Sequence, residues 1–328
     1  MFDSLAAVMS AYPLPSYLLI VAASLVIMLK SADLAVSGIS DYAKRLGVSD
    51  YLIGTVVIAI ASSMPELMSS VTGQEAGESG IVFGTILGSN IVELTLVLGA
   101  IAFAGKKIRF ESKVIEQTEY HVVVLAMLPF ILMIDGVISR IDGLILVSAY
   151  FGYLFILWRK EGEAGRMKKD VKYNTLRRDI LIFLGCTAAL ILSSRWLVFS
   201  SIGIAQIMNV SPFLVALVVI GITASLPDIS VGVRSALSGH QDLGIGNIIG
   251  SNFTKALFFL GVLALIEPLR FPFQSIILLA LFTLACTALV IWFMKKKLLT
   301  WKNGVLLYAV YILFLVMMWF FGNGIGIN

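Results

Sequence analysis

Ten apolar stretches run through this chain, each close to the ~20 residues a helix needs to cross a bilayer. They lie at 16–39, 51–73, 80–101, 118–135, 138–158, 179–203, 211–235, 243–266, 273–294 and 304–322. Each is continuous, without the alternation of barrel strands, so helices are predicted. Hydrophobic residues make up 59% of the chain and charged residues only 13%, where soluble domains carry about 25% charged residues. So much apolar surface cannot be hidden in one water-facing core. The expected fold class is an all-α polytopic membrane protein with ten transmembrane helices. A soluble enzyme, a nucleic-acid-binding protein and a disulfide scaffold are excluded. Cys186 and Cys286 both lie in apolar stretches and are expected to pack as small hydrophobes.

Basic residues sort by side of the membrane. With ten crossings, nineteen Lys and Arg fall on one side and only Arg140 and Arg270 on the other. Basic loops stay cytoplasmic, so both termini are expected outside. The net charge of +4 is therefore topology and not an anionic partner. No Lys or Arg precedes the first apolar run, so a cleaved signal peptide is not expected. Three more basic residues, Lys30, Arg195 and Lys255, fall inside the stretches.

Residues 48–99 align to 210–261 at a constant offset of 162, without a gap and with 18 identities in 52 positions. Apolar bias alone would give about five. The identities include Ser63/Ser225, Pro65/Pro227, Gly88/Gly250, Ser89/Ser251 and Asn90/Asn252, none of which lipid solubility demands. Each half carries five stretches, an odd number, so the second copy enters from the opposite side. Such inverted-topology repeats place a substrate site near the midplane, between the halves. The expected division is 1–158 as the first five-helix repeat, 159–178 as a basic cytoplasmic linker and 179–328 as the second repeat. A linker of about twenty residues has no room for a folded regulatory domain.

Polar atoms inside the stretches are costly and therefore informative. Ser62, Ser63 and Glu66 share one helix face, with Pro65 among them. Proline has no N–H, so a carbonyl near Ala61 is freed and Ala59 and its neighbours become candidate ligands. The second copy has Ser225, Pro227 and Asp228, with Gly221 matching Ala59 and Ala224 matching Ser62. In the two Gly-Ser-Asn motifs, Gly84, Gly88, Gly246 and Gly250 permit close helix approach, and Ser89 and Ser251 offer hydroxyls. Four residues beyond those serines stand Glu93 and Lys255. Carboxylates, hydroxyls and carbonyls are hard oxygen donors, suited to Ca²⁺ or Na⁺ rather than soft metals. His121 and His240 lie outside the set, which argues against zinc or haem.

S-S-M-P-E at 62–66 and A-S-L-P-D at 224–228 resemble the paired G-T-S-L-P-E signatures of the cation/calcium antiporter superfamily. G-T-I-L-G-S-N at 84–90 and G-N-I-I-G-S-N at 246–252 are similar to its G-N-x-x-G-S-N signatures. The nearest branch resembles the compact sodium/calcium exchangers of prokaryotic cell membranes, with ten helices and no large cytoplasmic loop. The resemblance implies an ion site of the Ala59 carbonyl, Ser62, Ser63, Glu66, Ser89 and Glu93 from the first half. From the second it implies the Gly221 carbonyl, Ala224, Ser225, Asp228, Ser251 and Lys255. The acids after proline are the principal calcium ligands in that family.

Three departures stand out. The family threonine before each signature serine is Ser62 here, which keeps a hydroxyl, and Ala224, which does not. The second acid is Asp228, one methylene shorter than Glu. Lys255 stands where relatives carry Asp or Asn, and its symmetry mate is Glu93. A buried ammonium needs a carboxylate, so Glu93 is its expected partner. Glu66 and Asp228 would then face one divalent cation, with the ammonium in the place of one monovalent ion. Asp33 and Arg195, symmetry mates, and Lys30 are expected to be structural or vestibule charges, and Glu75 and Glu78 to sit in a solvated loop.

The expected function is exchange of Ca²⁺ against Na⁺ or H⁺ by alternating access, with no cofactor. A sodium-independent or proton-coupled carrier of the same fold, with Lys255 replacing a bound cation, is the alternative. A membrane-embedded hydrolase is the remote one, since Ser63 and Ser225 have no histidine base within their motifs.

Overall fold

The computed structural model describes residues 12–45, 53–109, 124–162, 176–210, 212–237, 241–270 and 273–322. Both termini, residues 163–175 of the expected linker, His121 and His240 lie outside the described residues, as do the side chains of Asp33 and Cys186. Among the described residues, each of the ten apolar stretches overlaps a helical segment. Five segments are long and apolar enough to cross a membrane: Ser79–Gly105, Arg140–Arg159, Leu243–Ile266, Ile277–Lys295 and Trp301–Phe320. Pro13–Ile27 and Arg195–Met208 are shorter apolar helices, again among the described residues.

Helices with similar apolarity differ in what surrounds them. In Ser79–Gly105 and Leu243–Ile266, which carry the Gly-Ser-Asn motifs, 83% of the most apolar window is buried within the protein. In Arg140–Arg159 and Trp301–Phe320 the share is 28%. The motif helices therefore form the centre and the others its rim. The motif helices' own Phe83, Ile86, Ile91, Phe259 and Leu260 are all at most 2% exposed and belong to the hydrophobic core. The two longest helices, α1 (Pro13–Arg45) and α6 (Leu176–Met208), lie against one another.

The 162-residue offset recurs in the local structure. The π-helical turns Ile53–Ile58 and Ala216–Ile220 lead into short helices Ala59–Ser62 and Gly221–Ala224. Each ends one residue before the signature serine, Ser63 or Ser225, and α2 (Met64–Glu75) and α7 (Leu226–Leu237) begin immediately beyond it. Proline explains the break: it offers no donor to the preceding turn, yet fits the first turn of a new helix. Further π-helical turns, Glu93–Val97 and Thr254–Phe259, interrupt the motif helices at Glu93 and Lys255. Such turns add a residue to the helix and re-aim the side chains around it.

Two short β-ribbons depart from the all-α expectation. Strand β1 (Lys107–Arg109) pairs antiparallel with β4 (Leu298–Thr300), and β2 (Val137–Ile138) with β3 (Leu269–Arg270). Each ribbon takes one strand from each half, so its backbone bonds tie the halves together. Strands of two or three residues carry too little pattern to be read from hydropathy.

At two equivalent glycines the halves come into backbone contact. A Cβ on Gly250 would lie 2.0 Å from the Thr55 carbonyl oxygen, and one on Gly88 3.1 Å from the Leu217 Cα. Thr55 and Leu217 stand 162 apart, as do Gly88 and Gly250, so the same contact is made twice. No side chain fits at Gly250 unless a backbone moves.

Candidate ion-binding site

Four charged side chains are wholly buried among the described residues: Glu66, Glu93, Asp228 and Lys255, each 0% exposed. Two helix starts deliver the first pair of acids. Glu66 lies in the first turn of α2 and Asp228 in the first turn of α7, where the positive helix end favours a carboxylate by about 0.3–1 kcal/mol. The motif helices α3 (Ser79–Val92) and α8 (Gln241–Phe253) run into the π-helical turns that carry Glu93 and Lys255. One oxygen from each of Glu66, Glu93 and Asp228 lies within 4.8 Å of the others.

Lys255 Nζ donates to Glu93 Oε1 in the tighter of its two ion pairs, and lies 3.5 Å from Glu66 Oε1. Glu93 is held on its other side as well. Its Oε2 accepts from Ser251 Oγ and Asn252 Nδ2, each at 2.7 Å. Asp228 Oδ1 accepts from Asn247 Nδ2 at 2.7 Å. Glu66 Oε2, Asp228 Oδ2 and Ser63 Oγ are buried with no hydrogen-bond partner. The carboxylates thus differ in kind: Glu93 is fully engaged, whereas Glu66 and Asp228 each keep an unengaged oxygen.

The remaining expected ligands are buried with their polar atoms partly used. Ala59 O accepts from the Ser63 N–H at 3.2 Å and from Ser62 Oγ at 3.4 Å. Ser62 Oγ also lies 3.4 Å from Asn247 Oδ1. Gly221 O accepts from Ser225 Oγ at 2.9 Å, and Ser89 Oγ donates to Ile86 O at 3.1 Å. Ala224 is buried and adds no side-chain donor. Gly221 packs on Gly88 and Ser89, with its would-be Cβ 3.4 Å from the Ser89 nitrogen. Both halves therefore reach one locus.

Asn247 and Asn252 escaped the sequence reading as site residues. Both stand inside the quoted G-N-I-I-G-S-N motif, but Asn247 is matched by Thr85, so symmetry gives no pointer to it. Arg195 pairs with Glu75 at 3.4 Å, both more than half exposed, and Lys30 is exposed. None of these three is among the buried charges of the site.

The family described as sodium/calcium exchanger protein matches residues 16–159 and 179–320. CaxA of Alkalimonas amylolytica, an antiporter by name, is 32% identical over 253 residues, covering 74% of this chain and 79% of that protein. The sodium/calcium exchanger MaX1 of Methanosarcina acetivorans is 26% identical over 345 residues, covering 92% of this chain and 98% of its own. A solved structure of the sodium-calcium exchanger NCX_Mj superposes with a TM-score of 0.70 over 92% of this chain and 98% of that one, at 22% identity. That likeness concerns the fold alone.

Proposed function

This chain belongs to the sodium/calcium exchanger protein family, and from that premise we propose that it carries Ca²⁺ across a membrane in exchange for Na⁺ or H⁺. The relatives named above are exchangers and antiporters, so the chain is a transporter and not an enzyme. The observation that carries the reading is the pair of unengaged buried carboxylate oxygens, Glu66 Oε2 and Asp228 Oδ2, on two side chains that each bring an oxygen within 4.8 Å of the other. A buried acceptor left without a partner costs about 1–3 kcal/mol, more when charged. A hard divalent cation between them offsets that cost. Ser63 Oγ and the carbonyls of Ala59 and Gly221 add neutral oxygens, with Ser62, Ser89, Ser225 and Ser251 beside them. Glu93 is within reach but already engaged.

In this reading the chain crosses the membrane ten times as two inverted five-helix repeats, 1–158 and 179–328, joined by the cytoplasmic linker 159–178. Alternating access moves the rim helices against the motif helices around a fixed midplane site. A cysteine placed at Asn328 should be labelled from outside intact cells, and one at Gly165 should be spared. The reverse pattern would overturn this topology.

Transport is tested with the purified protein in liposomes loaded with Na⁺ or buffered at acid pH. Saturable uptake of radioactive Ca²⁺ under at least one of these gradients is expected. Uptake no greater than in protein-free liposomes under both gradients would rule the reading out.

A further inference from the structure

We infer that Lys255 makes the exchange electroneutral, setting two monovalent charges against each divalent ion. This inference rests on the antiport reading above and adds its stoichiometry. Lys255, Glu66, Glu93 and Asp228 are the only charged side chains wholly buried among the described residues. Three carboxylates against one ammonium leave the site at −2. The Lys255–Glu93 pair contributes zero to that sum whether the shared proton sits on Nζ or on Oε1, so the count does not depend on where the proton lies. Glu93 is further committed by Ser251 and Asn252, both on its Oε2. The charge left to bind cargo is that of Glu66 and Asp228, the two acids with an unengaged oxygen.

An uncompensated charge is expensive at the middle of a bilayer, so the closed site crosses most readily when it is neutral. One divalent cation neutralises −2, and so do two monovalent cations. The two half-cycles then carry equal charge, and a full cycle moves none across the membrane. Lys255 also lies 3.5 Å from Glu66 Oε1, so the ammonium borders the cargo position and excludes a further cation there.

Removing the ammonium alone changes the count. Lys255→Met leaves a site of −3, which three monovalent cations neutralise and one divalent ion leaves at −1, so the two loads then differ by one charge. Lys255→Met combined with Glu93→Gln returns the site to −2. Proteoliposomes carrying each protein are clamped with a potassium diffusion potential, and Ca²⁺ accumulation is read at steady state under a fixed monovalent gradient. One charge moved per cycle shifts the accumulation ratio about 50-fold per 100 mV. In the unaltered protein and in the double variant the ratio should change less than about twofold, while Lys255→Met should respond to the potential. A shift of about tenfold or more in the unaltered protein or in the double variant overturns the inference while leaving antiport intact. These two measurements decide the matter even if the single variant fails to fold. Absence of any exchange in the unaltered protein would overturn the antiport reading itself, and this inference with it.

Discussion

Glu66→Gln and Asp228→Asn should each abolish saturable Ca²⁺ uptake while leaving folded protein in normal yield. Each removes half of the charge not committed to Lys255. At an effective dielectric near 20, a unit charge about 4 Å from another is worth roughly 4 kcal/mol. Against a divalent ion the loss is larger, so affinity should fall by about three decades or more. Folding should survive for a specific reason. The three carboxylates crowd within 4.8 Å, and neutralising one relieves like-charge repulsion in the ion-free protein. Asp228→Asn also keeps an oxygen to accept from Asn247 Nδ2. Uptake kinetics in proteoliposomes and thermal unfolding in detergent, measured side by side, separate the two effects. Normal uptake by either variant would remove that acid from the ligand set.

The Lys255–Glu93 pair should show the opposite balance, with a large effect on stability. Lys255→Met leaves Glu93 buried with only Ser251 and Asn252 as partners, and Glu93→Gln leaves Lys255 with Glu66 alone at 3.5 Å. Breaking a buried pair by removing one partner typically costs 3–5 kcal/mol, on the order of half of a domain's stability. Replacing both members together is often close to neutral. The double variant should therefore unfold closer to the unaltered protein than either single variant does. A double-mutant cycle in detergent measures the coupling. Losses that simply add would mean the two side chains do not depend on each other.

Much of this site was legible before any coordinates. Glu66 and Asp228 stand at the same place in two copies of one motif, each beside a proline that breaks the helix, and local chain geometry is enough to read that. Pairing of Lys255 with Glu93 followed from the 162-residue offset together with the cost of a lone buried ammonium. The second contact of Lys255, to Glu66, had no such pointer. Neither did the engagement of Glu93 by Ser251 and Asn252, nor the bond from Asn247 to Asp228. Glu66 and Lys255 are 189 positions apart and Glu93 and Asn252 are 159 apart. Neither separation equals the repeat offset, so these contacts lie outside the symmetry of the two copies.

Residue order alone determined the apolar class of the chain, its internal duplication, and which carboxylates and serines share a motif. Each of these depends on spacing within one helix or between two copies, and such spacings are written in the chain itself. Tertiary structure decided which oxygens remain unengaged. It also decided that Gly250 meets the Thr55 backbone, and that β-ribbons of two or three residues join the halves. The physical reason is that a hydrogen bond is settled within a few tenths of an ångström. Whether Glu93 holds an ion or holds Lys255 depends on how two motif helices from opposite halves meet at their π-helical turns, and hydrophobic pattern places a helix residue only to within several positions.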